Sequence, residues 1–274
     1  LDLLDERKGH PKYNKTTYAL RCVQDVSPAD GYGLIIVPTP AHQTVAAVAQ
    51  LAPVAGEATF LLFSGNWEGT EAYDRLLPRE RYLLGYPDGG GTLLDGAYWT
   101  NLGGEVHMGL LEGNDPERME AVRALFARAD IRADVQPNIL HWLWIHDAGV
   151  VGFAAGLLKY RELQPYLQDR ALIAVCIRAT RELYELCRRR GVDLKAYPEV
   201  SYMSWPVWLV TLLLRWNFAR NESMQRYTAH ALSEGSRRES KMLYDAMMAT
   251  AAQVGYDMPC MREMGAYLRE AQSS

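Results

Sequence analysis

Residues 33–63 read GLIIVPTPAHQTVAAVAQLAPVAGEATFLLF, and the hydrophobic pattern of this stretch decides the fold. Residues 33–37 form an unbroken apolar run of strand length, which predicts a strand buried on both faces. Residues 43–51 follow with alanine-rich helical spacing, and residues 58–63 are a second apolar strand. A strand, a crossover helix and another strand make a β-α-β unit, whose two strands run parallel.

Further along, residues 70–77 predict a short helix and residues 82–86 another strand. After a loop at Pro87-Asp88-Gly89-Gly90-Gly91, residues 97–101 and 105–110 read as a hairpin closing the sheet. Residues 115–129 read as a helix with Asn114 as its N-cap. From Asn138 onward only helical patterns remain. Residues 140–160 are almost wholly apolar, with small residues from Ala148 to Gly156 that admit close neighbours on every side. Helices are then expected over 164–190, 205–220, 222–233, 236–254 and 260–270. The expected architecture is therefore α/β: a Rossmann-like parallel sheet in residues 1–137, followed by an all-helical half in residues 138–274.

Composition narrows the partners. A formal net charge of -4 offers no basic face for a phosphate backbone, so no nucleic-acid partner is expected and a small molecule is. Cys22, Cys176, Cys187 and Cys260 include no Cys-x-x-Cys pair, which argues against a disulfide framework and a zinc site and suits reduced thiols in the cytoplasm. The longest apolar run, residues 205–214, falls short of the roughly 20 residues that cross a bilayer. It reads as a buried helix or an oligomer contact, not a membrane span. His141 and His146 are five apart, off the i, i+4 spacing that brings two histidines to one ion, so no metal is expected. The first ten residues lack the basic-then-apolar pattern of a signal peptide, and the chain opens on leucine, so a preceding N-terminal piece is expected.

Chemistry in an open parallel sheet sits beyond the carboxyl ends of the strands. Two such ends are Pro38-Thr39-Pro40-Ala41-His42-Gln43 and Ser64-Gly65-Asn66-Trp67-Glu68-Gly69. A rigid Pro-Thr-Pro turn leading into a helix, and glycines that allow close backbone approach, suit a dinucleotide ligand.

These segments, read in order with HMGLLEGND, NILHWLWIHDAGVVGFAAG and ESMQRYTAHALSEGSRRES, resemble the ketopantoate reductase family over nearly the whole chain. The resemblance implies an N-terminal domain that binds NADPH and a helical substrate and dimerisation domain like that of 6-phosphogluconate dehydrogenase, with reduction of a small keto compound in the cleft between them. It implies a cofactor contact at Gln43, a cofactor and substrate contact at Asn66 and a substrate contact at Ser223; the strand-end turn adds Pro38 and Thr39 as cofactor-binding candidates, and His230, one to two turns after Ser223, is a further substrate-binding candidate. The family's catalytic lysine corresponds to His146, an imidazole able to donate a proton at neutral pH. Asn66 and Glu239 complete the catalytic set that the resemblance implies, and homodimer formation is a further expectation.

Departures from the family pattern are equally specific. No Gly-x-Gly-x-x-Gly strand-turn-helix occurs in these 274 residues; Pro40 replaces a lysine, and Val150 and Ala154 replace two asparagines. These losses sustain two other readings: a non-redox enzyme, such as an isomerase or cyclase derived from the same fold, and a binding protein that uses the tryptophan-rich segment 205–216 as its surface.

Overall fold

The structure is a computed structural model that describes residues 1–270. Contacts divide the chain into two compact units, one spanning residues 1–140 and one beginning at His141.

The first unit holds a seven-stranded sheet. In chain order its elements are β1 (Asp2–Asp5), β2 (Tyr13–Lys15), β3 (Leu34–Val37), α1 (Ala41–Leu51), β4 (Thr59–Phe63), α2 (Glu71–Asp74), β5 (Tyr82–Leu94), β6 (Ala97–Gly109), α3 (Pro116–Ala127) and β7 (Arg132–Val135). The sheet order is β2-β1-β6-β5-β4-β3, with β7 also pairing β6. β3, β4 and β5 are mutually parallel, as the two crossovers require. β5 and β6 are antiparallel and joined by a hairpin that turns at residues 95–96, so the expected hairpin between residues 97–101 and 105–110 is instead one continuous strand paired along β5. One side of β6 carries two short parallel partners: residues 99–102 pair with β1 and residues 105–108 with β7.

Alternation along the strands sends Leu61, Leu83, Val106 and Met108 to one face, where Met119 and Val122 of α3 cover them. Phe63 of β4 stacks on Phe126 of α3, ring centroids 6.2 Å apart. Phe60 and Leu62, which point the other way, are also fully buried, so β4 is covered on both faces. β3 departs from expectation. It lies at the sheet edge, and Ile36 is exposed, because an edge strand lacks the second neighbour that buries a central one.

Three further details correct the sequence reading. Gly89-Gly90-Gly91 is not a loop; it lies inside β5, which continues past a bulge at Pro87. Gly91 passes so close to Thr100 and the carbonyl of Trp99 that a Cβ would collide there, which explains the glycine within a strand. The N-cap of α3 is Asp115, whose carboxylate accepts from the Glu117 amide at 2.8 Å. Asn114 ties the preceding turn instead, accepting from Leu111 N and donating to the carbonyls of Arg79 and Tyr82.

The helical part runs α4 (Ile139–Tyr160), α5 (Leu163–Gln168), α6 (Arg170–Arg189), α7 (Val207–Arg220), α8 (Glu222–Ala231), α9 (Glu234–Gln253) and α10 (Pro259–Glu270). Residues 164–190 are thus two helices and not one. Asp169 breaks them: its carboxylate accepts from the Leu172 amide as N-cap of α6, and also from Lys159 Nζ and Tyr160 Oη. α4 is the central helix. Its small residues let α6 approach closely, and a Cβ at Gly152 would run into Thr180. Glu182 of α6 caps α10 by accepting from the amides of Cys260 and Met261 at 3.1 and 2.8 Å. The run at 205–214 is only partly inside: Val210 is buried, whereas Trp205, Trp208 and Leu212 are exposed, as is Trp216 just beyond it. No helix of the described residues is long and apolar enough to cross a membrane.

Candidate active site

The carboxyl ends of β3 and β4 are adjacent because Val37 pairs with Leu62 in parallel register. The turn at Pro38–Pro40 and the loop that starts at Ser64 therefore leave the sheet side by side. Thr44, fully buried in the first turn of α1, anchors the first of them. Its hydroxyl lies 3.1 Å from the carbonyls of both Thr39 and Pro40 and 3.0 Å from the Thr39 hydroxyl. The side chain and the carbonyl of Thr39 are thus both committed to holding the turn. Gln43 is exposed one residue earlier on the same turn, its side-chain amide 3.2 Å from His42 Nε2. Pro38 is exposed as well.

The β4 loop is of a different kind. Ser64, Gly65, Asn66 and Trp67 are all buried, with Asn66 only 6 % exposed and its side-chain Nδ2 shielded from solvent. A buried amide held at the end of a central strand is a positioned polar group, unlike the surface side chain of Gln43.

In the second unit, His146 is half-buried on α4 and lies parallel to the Trp142 indole one turn earlier. Its Nε2 is shielded from solvent. Asp147 is buried next to it in sequence, but consecutive helix positions point about 100° apart, which disfavours it as the partner that orients the imidazole. His141, a turn and a half earlier, is different again: burial, then the nearby Arg190 guanidinium, hold its pKa below the ordinary histidine value. The two positions where the family pattern has asparagine differ in setting, Val150 being exposed and Ala154 buried.

Ser223 sits in the first turn of α8, 3 % exposed, and its hydroxyl has no hydrogen-bond partner among the described residues. His230 follows two turns later, about 10 Å along the helix axis, exposed at the carboxyl end with Nε2 3.1 Å from Ser236 Oγ. Glu239 is half-buried in the second turn of α9. Ser223 and His230 are therefore held by opposite ends of one helix, in settings that differ sharply in exposure.

One charged group near Ser223 escaped the sequence reading. Arg226, only 4 % exposed, lies one turn further along α8 and pairs with Glu222 at 3.1 Å. The Glu222/Arg226 spacing of i, i+4 was a legible signal for the ion pair, but not for its burial.

No family model matches the chain, and no curated protein matches it. Solved structures do. A 2-dehydropantoate 2-reductase from Geobacter metallireducens aligns with a TM-score of 0.69 at 15% identity, over 99% of this chain and 86% of that one. The fold is that of the ketopantoate reductases. A dimeric ketopantoate reductase from Staphylococcus aureus aligns with a TM-score of 0.66 at 13% identity, covering 88% of this chain and 78% of its own. D-mandelate dehydrogenase, solved with NADH, aligns at 0.60 and 14% identity over the same shares. The architecture expected from the sequence, a parallel-rich sheet followed by helices, is what these proteins share with this chain.

Proposed function

We propose that the chain is a nicotinamide-dependent reductase of a small keto compound, related to the ketopantoate reductases and using NADPH. The observation that carries this reading is the buried Asn66 at the end of β4, beside the Pro38–Pro40 turn at the end of β3, on a fold shared with proteins that reduce or oxidise small acids. A strand end with a shielded amide and glycines that permit close backbone approach suits the nicotinamide and ribose end of such a cofactor. These residues do not account for the pyrophosphate, since the glycine-rich turn that usually receives it is not among them.

A bound nicotinamide would supply the hydride. The chain's own residues then have three tasks. Asn66 fixes the orientation of the ligand at the strand end. Ser223 offers a hydroxyl that has no hydrogen-bond partner among the described residues, and a substrate oxygen would satisfy it. His146, as imidazolium, donates the proton that neutralises the alkoxide, the role the family gives to lysine. Glu239 and His230 are secondary candidates for substrate contact. Homodimer formation in the cytoplasm completes the reading, with a dimeric structural relative as its support.

The test is calorimetric titration of the protein with NADPH and NADH. The reading expects NADPH to bind more tightly, and expects Asn66→Ala to weaken that binding. Failure of the protein to bind either nucleotide would move it to the non-redox reading.

A further inference from the structure

Away from the β3 and β4 strand ends, β6 and β7 bring three ligating side chains together on one face of the sheet. Glu105 and His107 are two apart on β6 and so share that face. Parallel pairing sets His107 opposite Asp134 and Glu105 opposite Arg132. One ligand atom from each of Glu105, His107 and Asp134 lies within 4.8 Å of the other two. His107 Nδ1 is already 2.8 Å from Asp134 Oδ2. Gln136 continues the row and donates to the same carboxylate oxygen at 2.6 Å.

The charge on this cluster is balanced from outside. The Arg132 guanidinium bonds Glu105 and stands 3.6 Å from Asp134 Oδ1, although its side chain is 63% exposed. Glu105 and Arg132 also line a cavity of about 930 Å³, bordered by Arg7, His10 and Asp130.

We propose that Glu105, His107 and Asp134 form a site for a divalent first-row transition ion of the zinc class, for which Arg132 is the built-in competitor. One imidazole nitrogen and two carboxylate oxygens are ligands that zinc, cobalt and nickel accept, whereas magnesium and calcium take oxygen alone. A tetrahedral ion with bonds of about 2.1 Å needs ligand atoms about 3.4 Å apart, so side-chain rotations must close a gap on the order of 1 Å. Gln136 donates to Asp134 Oδ2 and so orients that carboxylate. With three protein ligands the ion keeps an open coordination position. The ion spans β6 and β7, and its binding ties the β7 edge to the rest of the sheet.

The experiment is titration of the full chain with zinc chloride by calorimetry and with cobalt chloride by visible absorption, in buffer free of chelators and of a polyhistidine tag. The expected result is one ion per chain and a tetrahedral or five-coordinate cobalt spectrum. His107→Ala and Asp134→Asn should each weaken binding about tenfold or more. Arg132→Gln should strengthen it, because the competing cation is gone. This variant separates the proposal from a plain ion-pair network, in which losing Arg132 weakens the fold and gains nothing. Should a variant fold poorly, zinc added to the wild type still reads the site through a rise in melting temperature that chelator reverses. No uptake by either the wild type or Arg132→Gln would overturn the proposal, as would uptake that His107→Ala leaves unchanged.

Discussion

The imidazole of His146 stacks on the indole of Trp142, ring centroids 5.1 Å apart and planes 14° from parallel. The two residues are one helical turn apart on α4, so their contact is local and follows from the i, i+4 spacing. An indole lying flat on one face of the ring limits how the imidazole can rotate. It therefore bears directly on whether His146 can act as a directed acid.

If His146 is the proton donor, His146→Ala lowers turnover by ~10²–10⁴-fold with little change in cofactor affinity. His146→Lys restores part of it. An acid must be protonated to work, so the wild-type rate falls as pH rises, and the lysine variant moves that fall to higher pH because an amine titrates later than an imidazole. Trp142→Leu lowers kcat more than it changes KM. Unchanged turnover in the alanine variant, with only a lower melting temperature, would mark His146 as a packing residue.

Ser223 gives a prediction of opposite signs. A buried hydroxyl without a partner costs about 1–3 kcal/mol in the ligand-free protein, and alanine removes that cost. Ser223→Ala is therefore expected to leave the melting temperature unchanged or raise it, while KM for the keto substrate increases. Steady-state kinetics and thermal melts on the same preparation check both halves.

Asn66→Ala is expected to reduce kcat/KM far more than stability. A lost hydrogen bond costs about 1 kcal/mol, whereas misplacing a reacting group costs more in rate. Parallel loss of both quantities would make the side chain a brace for the β4 loop.

Asp169 links helix geometry to pH. Its bond from the Leu172 amide, with those from Tyr160 and Lys159, holds its carboxyl below the ordinary carboxylate pKa. A folded-state pKa below the unfolded one means the stabilisation is complete above the unfolded value, near 4, and disappears as pH falls through the folded value. Asp169→Ala should cost about 1 kcal/mol at neutral pH, the usual worth of an N-cap. The difference between variant and wild type in urea denaturation should shrink on acidification. A gap that persists at low pH would mean that packing, and not the charged cap, is what the substitution removes.

The sequence by itself determined what depends on neighbours along the chain. The apolar run and alanine-rich spacing of residues 33–63 were enough for two parallel strands and their crossover, because strand and helix periods differ and the connection has only one favoured hand. The small residues of α4 were enough to mark the central helix. Those features carried the resemblance to the ketopantoate reductases, and the structural relatives share that fold. The break at Asp169 was carried by side-chain bonds to Lys159 and Tyr160, and the glycine run 89–91 became strand because β6 supplied its partner. β1, with the order Asp-Leu-Leu-Asp, carries no period-two pattern, and the alternation of β7, Arg132-Ala133-Asp134-Val135, is too short to mark a strand by itself; both are strands because β6 pairs with them. The same pairing sets Asp134, 27 positions along the chain, against His107. Spacing arithmetic finds ligands on one helix or one strand, but only tertiary structure can bring two strands of distant sequence into register. Burial has the same origin: Ser223, Asn66 and Gln43 read alike as polar residues, and the packing around them separated two enclosed groups from one exposed to water.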